Sequence, residues 1–303
     1  MSLTAEDRAK SELKGAVRLH REGGPPRRTL REELRLEGTG IHSGAECSVR
    51  LFPRETGGIA FRHAGRDAEV PARLESARAD LSERRTVIES VAGGRFEQVE
   101  HLLAALAAAG VSDLLVEQEG PEVPFLGGGA REFLEGIRDA GTADLEETLP
   151  VLEVVRPLTL SEGHALIAAM PHKGLRLSAF VEFPGTVVGS AGYSADLEDE
   201  NVFFEEISKA RTFAAAADIE KLRAAGLIRG GNLENAVVFD RERYHNESLH
   251  YPDEVVRHKI IDLLGDLSLL GTALRGHFWA WRGGHRSHVL FARRLQEESG
   301  TAS

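Results

Sequence analysis

Arg257-His258-Lys259-Ile260-Ile261-Asp262-Leu263-Leu264-Gly265-Asp266-Leu267 forms the centre of a long helical pattern over residues 254–270. His258 and Asp262 stand four residues apart, so a helix stacks them on one face, and Asp266 continues that face by another turn. A strand pattern follows at 276–281, and strands precede the helix at 152–155, near 165–170 and at 236–239. Ala210-Arg211-Thr212-Phe213 leads into an Ala-rich helix ending at Gly226. The upstream half repeats the order. A half-buried strand at 48–52 alternates polar and apolar residues before Pro53, and a helix over 99–109 ends at Gly110 as its cap. A strand at 113–117 and a helix over 130–140, stopped near Gly141, complete it. Strands followed by helices in each half predict an α+β architecture with two similar layers packed together. The acidic, turn-rich stretch 143–150 marks the boundary, giving a first domain over 27–146 and a second over 147–303 that carries the His258/Asp262 helix. Residues 1–26, charged and closed by Gly23-Gly24-Pro25-Pro26, read as an N-terminal extension or solvated tail.

Length agrees with this division, since 303 residues at roughly 150 per domain suggest two domains. With 37 Lys+Arg against 48 Asp+Glu the net charge is −11, which excludes a non-specific nucleic-acid binder, because that needs many cations to displace phosphate counterions. Cys47 is the only cysteine, so an internal disulfide or a multi-thiolate zinc site is excluded. The apolar run 102–111 is too short for a bilayer, which needs about 20 residues. Acidic residues stand where a signal peptide would be apolar. The chain reads as soluble and cytoplasmic.

Three places carry candidate chemistry. His258 and Asp262 have the spacing to share one metal ion, or equally to form a hydrogen-bonded pair on a solvated face. Glu100-His101 opens the helix over 99–109, where the histidine could be a third ligand and the carboxylate an acid/base, or the carboxylate a simple cap. Gly283-Gly284-His285 follows the last strand as a glycine loop that allows close approach to a ligand or is an ordinary turn; His288 nearby is the weaker candidate. Taken together, His101, His258 and Asp262 make a His2Asp set with room for water, the catalytic type of zinc site. Glu100 would take a proton from that water and His285 would stabilise an oxyanion or protonate a leaving amine, a combination suited to amide hydrolysis.

At these residues the chain resembles the zinc-dependent UDP-3-O-acyl-N-acetylglucosamine deacetylases of lipid A (lipopolysaccharide) biosynthesis. The resemblance runs from about Arg28 to about Leu295. Its motifs occur in the family's order: Arg28-Thr29-Leu30, Gly38-Thr39-Gly40-Ile41-His42-Ser43-Gly44, Val99-Glu100-His101-Leu102-Leu103-Ala104-Ala105-Leu106 and Gly120-Pro121-Glu122-Val123-Pro124. Ala210-Arg211-Thr212-Phe213, Gly226-Leu227 and Gly230-Gly231 then match the insert that frames the acyl passage. Tyr251-Pro252-Asp253-Glu254 with Val256-Arg257-His258-Lys259 and Asp262-Leu263-Leu264-Gly265-Asp266 is the most specific match, and Gly284-His285 closes the set.

The resemblance implies that His101, His258 and Asp262 bind Zn2+, with Fe2+ as the alternative metal. Glu100 is implied as general base and His285 as general acid oriented by Asp266. Thr212 would hydrogen-bond near the tetrahedral intermediate, Phe213 would contact the nucleotide and Lys259 its phosphates. It further implies two similar βα domains packed as a layered sandwich with the active site between their layers, a small insert in each domain, and removal of acetate from the sugar's 2-amino group. The expected partner is a UDP-linked acylated amino sugar, met by a monomer that touches a membrane surface transiently through its lipid substrate. The competing expectations are a zinc deacetylase for a different N-acetyl-sugar conjugate and a catalytically retired sugar-lipid-binding relative. Three departures surround the site: Gly127-Gly128-Gly129 where the family has Asp-Gly-Ser, Gln98 where Ser or Thr precedes Val-Glu-His, and Arg286-Ser287-His288 where Ala-Leu-Asn is usual. Phe183-Pro184-Gly185 and Arg84-Arg85-Thr86-Val87 also match loosely.

Overall fold

The computed structural model describes residues 15–300. Two large sheets carry the chain. The first orders its five strands Leu34–Thr39, Glu46–Pro53, Leu114–Glu119, Ile59–His63 and Val70–Pro71, with Leu114–Glu119 antiparallel to one neighbour and parallel to the other. The second has seven strands built around Ala273–Trp281. That strand pairs in parallel with Val151–Val154 and with Leu175–Phe183, and antiparallel with Ala165–Met170. Leu158–Glu162, Val17–His20 and Gly189–Asp196 complete the sheet. The fold is α+β, as the order of patterns along the chain predicts.

Helices fill the space between. Helix α1 (Glu100–Ala108) is Leu- and Ala-rich and buried from Glu100 to Leu106, the pattern of a helix covered on all sides. Helix α2 (Arg131–Ala140) buries one face through Phe133, Leu134 and Ile137. Helix α3 (Glu200–Glu206) begins at Asp199, whose carboxylate caps the Asn201 amide. Helix α4 (Ala216–Ala224) belongs to an insert. Helix α5 (Glu254–Ser268) is buried along most of its length, packs on α1 and rests on Leu175–Phe183. Helix α6 (His285–Glu298) lays Val289, Ala292 and Leu295 into the core. The insert of the first half is the hairpin Val87–Ser90/Gly94–Glu97. That of the second is a βαβ unit in which Thr212–Ala215 and Ala236–Phe239 run parallel around α4.

Several local expectations change. Residues 17–20, placed in the N-terminal extension, form an edge strand of the second sheet with Val17 opposite Val154 and Leu19 opposite Leu152. Its alternation of apolar and polar residues, with Val17 buried, explains the pairing. The acidic stretch assigned to the boundary is the strand Thr142–Thr148, which pairs with Pro26–Leu30 and ties Asp144 to Arg28 at 2.9 Å. His285, read in a glycine loop, opens the 14-residue helix α6, where the Gly284 amide donates to Ser287 Oγ at 3.0 Å. The rest of the proposed extension, residues 1–14, lies outside the described residues. Among the described residues no helix is long and apolar enough to cross a membrane.

Candidate metal centre and active site

The site forms where α1 meets α5. His101 comes from the first turn of α1, and His258 and Asp262 from consecutive turns of α5. Asp262 Oδ1 lies 3.3 Å from His258 Nε2 and 3.7 Å from His101 Nε2. The two imidazoles meet edge to face, with centroids 4.9 Å apart at 85°. His258 Nδ1 donates to the Ala210 carbonyl at 2.9 Å, which leaves Nε2 with a free lone pair aimed at the other two ligands. Asp262 Oδ1 is buried with no hydrogen-bond partner, whereas Oδ2 accepts from Lys259 Nζ at 2.6 Å. An orphaned carboxylate oxygen facing two imidazole nitrogens, all buried, fits a divalent cation. Burial opposes ionisation of Asp262, but the charges of Lys259 and His258 outweigh it and hold the carboxyl well below its usual range.

Beside these three side chains stand Glu100 and His285. Glu100 is buried and its pKa is raised by that burial, with His285 and His101 pulling the other way. Its Oε2 accepts from the Thr86 amide at 2.9 Å and its Oε1 from Gln98 Nε2 at 2.9 Å. His285 Nε2 is 3.8 Å from Glu100 Oε1. His285 Nδ1 donates to Asp266 Oδ2 at 2.9 Å. Burial would neutralise His285, yet the surrounding carboxylates Asp266, Asp262 and Glu100 push its pKa up to about 9. An imidazolium therefore faces a carboxylate of raised pKa, the pairing of environments that separates an acid role from a base role.

Asp266 anchors the His285 side of the site. Burial works against its charge, but His285 chiefly keeps it ionised. Thr86 Oγ1 donates to Oδ1, and His288 Nδ1 donates to Oδ2 at 2.8 Å alongside His285. Asp266, His285 and His288 also lie close enough to hold a metal. Both imidazoles, however, spend their Nδ1 protons on one carboxylate, so the trio is a hydrogen-bonded set rather than a ligand set.

The other proposed residues lie around this centre. Thr212 and Phe213 open the insert strand and line a cavity of about 380 Å³ with Ile41, Phe125, Ile219 and Leu222. Phe213 meets the His258 ring edge-on at 6.0 Å, and Phe125 lies 5.5 Å from the His101 ring, so the cavity adjoins the ligands. Lys259 Nζ stands 5.9 Å from the Phe213 ring and is engaged by Asp262. Thr212, Phe213 and Lys259 are thus drawn to the same locality as Glu100, His101, His258, Asp262, Asp266 and His285.

The reading of the sequence missed three contributors. Thr86 lies in the loosely matching segment and touches both Glu100 and Asp266, a link across 180 residues that no local pattern announces. Gln98, a departure from Ser or Thr, supplies a donor to Glu100. His288, ranked below His285, is buried and bonded to the residue that orients it. The absent carboxylate at Gly127 has a spatial counterpart: a Cβ there would stand 2.0 Å from Glu132 Oε1, so the Glu132 carboxylate fills the space.

Two buried imidazoles and an aspartate, with a glutamate and an imidazolium beside them, define a metal-dependent hydrolase of the amide-cleaving type. The sequence model of the LpxC family, UDP-3-O-acyl N-acetylglycosamine deacetylase, matches residues 27–297. A UDP-3-O-acyl-N-acetylglucosamine deacetylase of Synechocystis is 39% identical over 275 residues, covering 89% of this chain and 98% of its own length. The enzyme of that name from Leptospira biflexa is 35% identical, with 90% of each chain covered. That from Myxococcus xanthus is 38% identical over 89% of this chain and 86% of its own. The chain belongs to the UDP-3-O-acyl-N-acetylglucosamine deacetylase family.

Proposed function

We propose that this enzyme hydrolyses the N-acetyl group of a UDP-3-O-acyl-N-acetylglucosamine, releasing acetate and a free 2-amine, in lipid A biosynthesis. The observation that carries the reading is the unpartnered Asp262 Oδ1 facing His101 and His258, with Glu100 and His285 beside it. Zn2+ is the proposed metal, with Fe2+ also suited to imidazole and carboxylate ligands. Bound there, the cation would acidify water and polarise the amide carbonyl.

The protein's own groups perform the rest. Glu100 accepts a proton as the water oxygen bonds to the carbonyl carbon, and its raised pKa makes it a stronger base than a free glutamate. Thr86 and Gln98 fix both of its oxygens, so it is held in place before substrate arrives. The C–N bond then breaks, and His285 gives its Nε2 proton to the departing nitrogen. Asp266 fixes the ring by accepting at Nδ1. Thr212 is proposed to hydrogen-bond the tetrahedral intermediate. Phe213 is proposed to contact the nucleotide, and Lys259 its phosphates. The apolar walls of the 380 Å³ cavity suit the 3-O-acyl chain. A nucleotide-sugar substrate and a single unpaired cysteine support a cytoplasmic setting.

The test is acetate release by the purified, zinc-loaded protein from UDP-3-O-acyl-N-acetylglucosamine, with Glu100→Ala as the blank. Release that disappears in the variant is expected. Absence of release from the metal-loaded parent would overturn the assignment of substrate.

A further inference from the structure

A second cavity, about 300 Å³, lies between the layers at the opposite ends of α1 and α5. Ala107 and Gly110 from the end of α1 line it, as do Leu264 and Ser268 from the last turns of α5. Its walls are apolar, with Ile59, Val111, Leu264 and Leu274 among them, and among the described residues no carboxylate lines it. Two guanidinium groups do. Arg28 is already engaged, by Asp144 at 2.9 Å and by the Ala109 carbonyl at 3.3 Å.

Arg73 is not engaged. Its guanidinium bridges the gap between the layers: a Cβ at Gly58 would stand 2.7 Å from Nη2, and one at Gly271 only 0.8 Å from Nη1. Both glycines have left-handed backbones, with φ of +76° and +63°. Among the described residues no hydrogen bond or ion pair reaches the Arg73 side chain. The charges of Glu75 and, less strongly, Asp113 act on it without forming an ion pair, and Asp113 has its oxygens taken by Arg27 at 2.8 and 2.6 Å, Ser112 at 2.7 Å and the Gly58 amide at 2.8 Å. In the same cavity, Thr272 Oγ1 is buried with no partner. A half-buried guanidinium without a hydrogen-bond partner and a buried, unpartnered hydroxyl in one apolar cleft leave donors that an anionic acceptor could satisfy.

We propose that this cleft binds a small monocarboxylate with an apolar body, its carboxylate accepting from Arg73 and Thr272 and its hydrocarbon lying on Ile59, Val111, Leu264 and Leu274. The converging C-terminal ends of α1 and α5 carry partial negative charge that works against any anion and most against a dianion such as a phosphate, so the attraction rests on Arg73 and Thr272 and on the apolar walls. The site is separate from the metal centre and its acyl cavity. It also stands independently of the substrate assigned above. Because Leu264 lies two residues from both Asp262 and Asp266, occupancy would bear on the helix that carries them.

The test is a titration of the metal-loaded, methyl-labelled full chain with octanoate, followed by NMR, with acetate and 1-octanol as controls. Saturable shifts at Ile59, Val111, Leu264 and Leu274 are expected, together with about tenfold weaker octanoate binding in Arg73→Met, the order of a lost charge-assisted hydrogen bond. Octanol affinity should not change in that variant. Shifts confined to Ile219, Leu222 and Ile228, which line the acyl cavity, would overturn the proposal. So would equal octanoate affinity in Arg73→Met. The methyl map is read on the unaltered protein, so it decides even if the variant fails to fold.

Discussion

Gly265 of α5 lies against the backbone of Glu100 on α1, so closely that a Cβ at 265 would stand 2.1 Å from the Glu100 carbonyl oxygen. A glycine inside a helix is about 1 kcal/mol less favourable than alanine, yet here it lets two helices touch. Their contact is what brings His101 and Glu100 within reach of His258, Asp262 and Asp266. Gly265→Ala should therefore destabilise the protein, by about 1–3 kcal/mol for the overpacked contact, against its gain in helix propensity. Denaturant unfolding combined with metal content after gel filtration measures both effects. A variant as stable and as metal-rich as the parent would contradict the role given to this crossing.

Base and ligand should separate under mutation. Glu100→Ala is expected to keep bound metal and lose about 10²–10⁴-fold in turnover, the range for general base catalysis. His258→Ala should lose the metal as well, since it removes one of the three proposed ligands and frees the Ala210 carbonyl. Metal analysis beside acetate assays distinguishes the two. Near-full rate in Glu100→Ala would refute its assignment as base.

The pH profile follows from the two shifted groups. As the proposed base, Glu100 would act deprotonated, and its pKa is raised, so the acid limb of kcat/KM should lie above the ordinary glutamate value. As the proposed acid, His285 would act protonated, with a pKa of about 9, so activity should fall as pH rises through that region. A bound cation adds positive charge and moves both limbs down. In metal-free protein, histidine NMR should place His285 near 9, and Asp266→Asn should lower it by removing the largest favourable charge.

His288 shares Asp266 Oδ2 with His285. It is buried, its pKa is lowered chiefly by that burial, and its Nε2 has no partner. As a neutral donor it draws on the charge that sustains the His285 imidazolium. His288→Phe should leave Asp266 with one donor fewer, raise the His285 pKa and cut turnover about 10–100-fold, the usual penalty for a disturbed supporting residue. His288→Asn keeps a donor and should recover much of the rate. An unchanged His285 titration in His288→Phe would show that the second histidine only fills space.

Arg211 and Glu254 form a buried ion pair that closes the insert onto α5. The Arg211 side chain reaches both Glu254 oxygens, at 2.8 and 3.0 Å, and the Ser248 carbonyl at 2.9 Å. Arg211→Met strands a buried carboxylate and should cost about 3–5 kcal/mol of stability. Thermal melting measures it. A loss confined to activity would mean that the pair orders the cavity without supporting the fold.

The sequence alone determined the α+β class, the two long buried helices and the set of chemical groups, because helix periodicity and the four-residue spacing of His258 and Asp262 are local properties. It also set the order of family motifs along the chain. The tertiary structure decided what no local spacing encodes. It paired Val17–His20 with a strand more than a hundred residues away, because an edge strand takes its partner from the sheet and not from its own sequence. It started helix α6 at His285, which places that imidazole on Asp266, and it set Thr86 between Glu100 and Asp266. It filled the space at Gly127 with Glu132. Each of these depends on the close passage of α1 and α5 and on the sheets that hold them, where burial fixes both which groups meet and how they ionise.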